Sequence, residues 1–222
     1  MQHRIKWCYL CHSTDSLTND HIPPKNLFPA PLPSNLITVP CCKACNESFS
    51  KIDEQFRAYI SMPVNVSQIG KEIMRKKVFG SSFKKSQKLK TQVGRNVFQG
   101  RMQTPLGPRN IPLVAMDRKA FDPFFIRLTK GLLATFYPEV DYFGLEFKVT
   151  QLDQFGSGRA KFIEVTSSLT AEQRGDGVFR FWHGLPPEQP TTGMWIYQFY
   201  DAALFSVRHS NVPWPERLAD NF

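Results

Sequence analysis

Cys8-Tyr9-Leu10-Cys11 and Cys42-Lys43-Ala44-Cys45 frame an interval of 30 residues that contains Asp20-His21-Ile22-Pro23, and Asn46 follows the last cysteine directly. Two C-x2-C knuckles supply the four thiolates that one tetrahedral structural Zn²⁺ needs, and they satisfy the ion completely. A zinc at Cys8, Cys11, Cys42 and Cys45 therefore holds shape, and any chemistry falls to the residues it positions. Asp20, His21 and Asn46 offer a hard oxygen ligand, an imidazole base and a second oxygen ligand, and they lie close together if the two knuckles share one ion.

Working outward, Pro23, Pro24, Pro29, Pro31, Pro33 and Pro40 exclude a long helix before the second knuckle, which leaves hairpin and loop. After Cys42 the composition suits a helix, with Phe49, Ile52, Phe56 and Tyr59 at three- and four-residue spacing and an end at Met62-Pro63. Residues 1–62 thus read as a metal unit. Cys41 breaks the C-x2-C frame by one and reads as a small buried residue or as a stand-in for Cys42. Four of the five cysteines in ligand spacing fit a reducing, cytoplasmic setting better than a disulfide scaffold.

The net charge of +9 is concentrated. Between Lys71 and Arg95 nine basic residues (Lys71, Arg75, Lys76, Lys77, Lys84, Lys85, Lys88, Lys90 and Arg95) face a single acid, Glu72, so that this stretch carries +8. Such a stripe suits a polyanion, because each neutralised phosphate releases counterions, and Phe79, Phe83 and Phe98 are placed to stack on bases. It suits a solvated linker equally well. Residues 63–110 read as a basic connector with part-time order and a short helix near Ser67 to Lys77.

From Ile111 to Phe222 the sequence becomes globular again. Asp122-Pro123 looks like an N-cap with proline at the first helical position, followed by Phe124, Leu128, Leu132 and Phe136 at helical spacing. Leu145–Leu152, Ala160–Val165, Val178–Trp182, Met194–Phe199 and Ala203–Val207 have strand character. A mostly antiparallel sheet packed on the helix follows. Trp182-His183 and Trp195 suit core packing, and His3, His12, His183 and His209 show no partner pattern. No stretch approaches the roughly 18 apolar residues of a membrane span, and no signal peptide is evident, so a soluble protein is expected.

The joint pattern of Cys8, Cys11, Asp20-His21 with Pro23, Asn35-Leu36, Cys42, Cys45 and Asn46 resembles the HNH (ββα-metal) endonuclease family in its four-cysteine, treble-clef form, over about the first 55 residues. The resemblance implies an α+β protein: an N-terminal zinc-bound ββα-metal module followed by an α+β domain. It implies that His21 is the general base for hydrolysis of DNA phosphodiesters, that Asp20 and Asn46 hold a catalytic Mg²⁺ or Mn²⁺, and that Asn35 orients His21 by tying the loop down. The family's lysine three residues after the terminal asparagine is replaced here by Phe49, which leaves Lys51 as the nearest substrate-contacting lysine. Lys51, Lys71, Arg75, Lys76, Lys77, Lys84, Lys85, Lys88 and Lys90 are the candidate nucleic-acid contacts, with DNA expected and RNA open, and with a homodimer or a partner protein as assembly options. Simpler roles stand beside these: a structural histidine at His21, helix capping by Asn46, a turn at Asn35, and solvent exposure for Glu47 and Glu54. Two other functions remain open, a non-catalytic zinc-stabilised nucleic-acid-binding protein and a partner-activated effector of defence or mobile elements.

Overall fold

The computed structural model describes residues 5–63, 65–104, 107–152 and 158–213. Proline-rich sequence before Cys42 yields a hairpin, β1 (Leu17–Ile22) antiparallel to β2 (Ile37–Cys42), with Asp20 opposite Val39 and His21 opposite Thr38. β2 runs straight into α1 (Lys43–Ser48), whose N-cap is Cys42 itself: its sulfur accepts the backbone N–H of Cys45 at 3.5 Å. The helix then breaks at Phe49 and resumes as α2 (Ser50–Ile60). Phe56 and Tyr59 are buried as their spacing predicts, and so are Asp53 and Arg57 on the same helix.

The basic stretch is more ordered than a connector. It forms α3 (Gln68–Ile73), a run of π-type turns at Met74–Ser82, α4 (Phe83–Lys85) and α5 (Gln87–Arg95). Ser67 and Ser86 cap α3 and α5 through their hydroxyls, which accept from Gly70 N at 3.3 Å and Leu89 N at 3.2 Å. Lysine and glutamine favour helix on exposed positions, and of the apolar residues Ile73, Val78, Leu89 and Val93 are buried while Phe79 is exposed. A two-stranded hairpin follows, β3 (Val97–Thr104) with β4 (Gly107–Val114).

The C-terminal part is built on α6 (Asp122–Phe136), with Pro123 in its first turn, and on an antiparallel sheet in the order β5-β9-β8-β7-β6. Its strands are β5 (Glu146–Leu152), β6 (Thr170–Arg174), β7 (Phe179–Gly184), β8 (Gly193–Phe199) and β9 (Ala203–Ser210). One expected strand is a helix instead: Ala160–Val165 lies within α7 (Gly158–Ser167). Strand propensity expresses packing against neighbours, and Ile163, 57% exposed, has no packed face to join. The Thr166 hydroxyl donates back to the Phe162 carbonyl at 2.7 Å.

α6 packs on both sides. Toward the sheet, the Phe125 ring lies 4.5 Å from that of Phe205, and Thr129 shares a 2.7 Å hydrogen bond with the Tyr197 hydroxyl. Toward the hairpin, a Cβ on Gly131 would sit 2.7 Å from the Ile22 side chain, so glycine permits the close approach of β1. Phe56 of α2 stacks on Phe124 at 3.9 Å. The residues around the knuckles and those of the C-terminal sheet consequently belong to one hydrophobic core. Each such buried aromatic contributes about 1.5–3 kcal/mol by leaving water. The molecule is a mixed α+β protein with antiparallel sheets, and no described helix is long and apolar enough to cross a membrane.

Candidate metal centre and adjoining polar cavity

The hairpin and the start of α1 bring Cys8, Cys11, Cys42 and Cys45 together, with their sulfurs all within 4.8 Å of one another. A Zn–S bond of about 2.3 Å separates sulfurs at a tetrahedral ion by about 3.8 Å, and the Cys11 and Cys42 sulfurs stand 3.7 Å apart. The donor set therefore fits a structural metal such as zinc. Burial pushes the Cys8 thiol up, but backbone hydrogen bonds at Cys42, Leu10 and Cys11 outweigh it and bring it down to about 7, which favours the thiolate that a metal requires. Cys41 is outside this cluster. Its sulfur lies 3.9 Å from that of Cys8, and burial pushes its thiol up, as befits a neutral packed residue.

Beside the cysteines lies a polar cavity of about 230 Å³ whose walls include Asn19, Asp20, His21, Lys25, Asn26, Asn46, Ser50, Asp53 and Arg127. Asp20, His21 and Asn46, the chemically suited residues of the sequence pattern, are thus gathered around one space. Adjacent strand residues project oppositely, and Asp20 is buried on β1 while His21 is half-exposed, yet both line the cavity. Asn46 commits its amide nitrogen to the Thr18 hydroxyl at 3.0 Å, which leaves its carbonyl oxygen as the group it can offer. Burial, and after it the charge of Lys25, pulls the His21 imidazole below its ordinary 6.5, although Asp20 opposes the shift. His21 is a neutral base at neutral pH.

Asp20 is more heavily engaged than a lone ligand would be. Tyr9 donates its hydroxyl to Oδ2 at 2.7 Å, and Arg127 of α6 donates Nε to Oδ2 and Nη2 to Oδ1, each at 3.0 Å. Arg127 also holds Asp53 through Nη1 at 2.8 and 3.0 Å. Burial pulls the guanidinium down, but the charges of Asp20 and Asp53 outweigh it and hold Arg127 above the usual arginine range. Burial pushes Asp53 up to about 6 in spite of that partner. The Phe49 ring, at the position where the resemblance implies lysine, lies 4.6 Å from the same guanidinium.

Other expected residues lie elsewhere. Asn35 does not line the His21 cavity: its amide donates to the Gln173 carbonyl of β6 at 3.2 Å, and it borders a separate cleft of about 490 Å³. Glu47 pairs with Lys43 at 3.8 Å and Glu54 with Arg57 at 3.7 Å. Lys51, Lys71, Arg75, Lys84, Lys85, Lys88 and Lys90 are exposed, and exposed Lys76 pairs with Glu72. Lys77 turns inward and donates to the carbonyls of Asn26 and Phe28. Sequence reasoning misses Tyr9, Lys25, Asn26, Asp53 and Arg127. The available signal is charge on an apolar stripe: Asp53 lies between Phe49 and Phe56, and Arg127 between Phe124 and Leu128. No family model, curated protein or solved structure matches this chain.

Proposed function

We propose that the protein is a metal-dependent endonuclease of the HNH (ββα-metal, treble-clef) kind acting on DNA. The observation that carries this reading is the convergence of Asp20, His21 and Asn46 on one cavity beside the four-cysteine cluster. Neither the cysteines alone nor an isolated Asp-His pair would support it. In this reading the cysteines hold zinc as architecture. His21, kept neutral by burial and Lys25, takes the proton from a water attacking the phosphodiester. The Asp20 carboxylate and the Asn46 carbonyl hold a divalent ion, Mg²⁺ or Mn²⁺ by the hardness of those donors. When bound, that ion supplies charge stabilisation for the transition state and the leaving oxygen. Lys25 adds positive charge at the cavity wall, and the exposed lysines of residues 71–90 draw the polyanion in.

The deciding experiment incubates the purified chain with supercoiled plasmid, with and without Mg²⁺. Conversion to nicked or linear product by the wild type, lost in His21→Ala at unchanged zinc content, is the expected result. Unchanged cleavage by His21→Ala would sink the mechanism.

A second reading, a zinc-stabilised nucleic-acid-binding module without catalysis, draws support from the engagement of Asp20 by Arg127 and Tyr9. It requires salt-sensitive DNA binding that ignores divalent ions.

A further inference from the structure

The turns at Met74–Ser82, helix α5 and the root of the β3–β4 hairpin border a groove of about 850 Å³ that neither reading above has used. Ligand pockets measure roughly 300–1,000 Å³ and are mostly apolar with a few polar groups. Met74, Val93 and Val114 give this groove an apolar wall, and its charged lining is Lys84 and Lys90, both exposed. No described acidic residue lines it.

Two further residues shape the space. Phe79 lies in the wall and is 47% exposed. Phe83 meets its ring at 5.3 Å and 72°, and a T-shaped contact covers one face of a ring at most, so Phe83 leaves Phe79 a face for a flat partner. Gly94, in the last turn of α5, also lines the groove. Its φ is outside the left-handed region, and a Cβ there would meet nothing within 4 Å. Neither backbone conformation nor close packing calls for glycine at this position, where it weakens a helix relative to alanine. The missing side chain keeps the groove open.

The surrounding charge indicates the occupant. No acid occurs between Glu72 and Asp117, whereas ten basic residues do, from Arg75 to Arg109. A fatty acid brings one charge, but a ligand with repeating charge matches such a stretch, and a nucleic acid adds flat rings to its phosphates. Bases within a duplex are stacked and out of reach, so an aromatic groove with a basic rim takes them from a single strand.

We propose that this groove holds an unpaired nucleobase of single-stranded nucleic acid, stacked on Phe79, with the adjoining phosphates at Lys84 and Lys90. The inference rests on the nucleic-acid partner common to both readings above and is independent of cleavage.

The test is fluorescence anisotropy of the full zinc-loaded chain without added divalent ion. The probes are a labelled oligothymidine of about 12 nucleotides and a duplex of equal length. The wild type should bind the single strand more tightly than the duplex. Phe79→Ala should weaken single-strand binding about tenfold and leave duplex binding alone, while Phe79→Tyr keeps a stacking face and wild-type affinity. Gly94→Leu should fill the groove and weaken single-strand binding similarly, yet melt no lower than the wild type, because leucine is the better helix former. That variant keeps the test decisive should Phe79→Ala fold poorly. Wild-type single-strand affinity in Gly94→Leu, or in a folded Phe79→Ala, overturns the proposal, as does an equal loss on single strand and duplex. Binding of a fluorescent fatty acid with none of the oligothymidine would assign the groove to a lipid and also overturn it. Each of these failures leaves Mg²⁺-dependent plasmid cleavage, and with it the endonuclease reading, to stand or fall separately.

Discussion

Arg127 grips Asp20 with a two-pronged fork, Nε to Oδ2 and Nη2 to Oδ1 at 3.0 Å each, across 107 residues of sequence. The pair is almost completely buried, with side-chain exposures of 3% and 5%. A helix of the C-terminal part therefore completes the wall of a cavity whose other residues come from the first 53 positions. Replacing Arg127 by methionine keeps the bulk but strands two buried carboxylates, and the chain should lose about 3–5 kcal/mol against urea. Arg127→Lys should recover little of this, because an ammonium cannot span both acceptors as the planar fork does.

Asp53 should impose a pH dependence of its own. Its folded value stands at about 6, above the ordinary 3.8, so between those values the folded state binds the extra proton. Its contribution to stability is therefore greatest below about pH 4 and declines as pH rises toward 6. Asp53→Asn should flatten that part of the stability profile, measured by denaturant unfolding at closely spaced pH values.

Removal of the structural metal should be more damaging than loss of any residue in the cavity. Cys42→Ser deletes a ligand while leaving a hydroxyl that can still cap α1, so the chain should bind less than one zinc and melt well below the wild type through loss of the metal. Cys41→Ser should retain zinc in full, as metal analysis of the purified variants can show, because Cys41 packs outside the cluster.

If His21 is the base, cleavage should fall by about 10²–10⁴ in His21→Ala. In the wild type the rate should rise with pH along a limb centred below 6.5, since the imidazole is held below that value. Lys25 is one cause of the depression, so Lys25→Gln should move the limb to higher pH. A limb that stays in place would remove Lys25 from the electrostatics of the site.

The basic residues should separate into two groups. Changing exposed Lys84, Lys85, Lys88 and Lys90 to glutamine should weaken DNA binding and flatten its dependence on log salt by about 0.9 for each phosphate no longer neutralised. Lys77→Gln should act instead on stability, because its ammonium is spent on the Asn26 and Phe28 carbonyls.

Several elements are legible locally. The C-x2-C spacings name the four sulfurs that cluster, the prolines keep long helices out of residues 5–40, and aromatic spacing marks α6 and most of the C-terminal strands. The order of the basic stretch is hidden because the apolar residues it buries, Ile73, Val78, Leu89 and Val93, are diluted by charge. Ala160–Val165 has the composition of a strand, yet it lies within the helix α7, because strand propensity is a weak local preference that context overrides.

The sequence by itself determines the chemistry on offer: four thiolates at metal spacing, an Asp-His pair between them and an asparagine just after. Each of these lies within a few residues of a turn or cap, where short-range geometry suffices. The tertiary structure alone decides how that chemistry is restrained. It puts Arg127 against Asp20 and Asp53, turns Lys77 inward onto the Asn26 loop, and sends Asn35 to Gln173. Those pairings join residues far apart in the chain, and a buried charge must be paired within the core that encloses it.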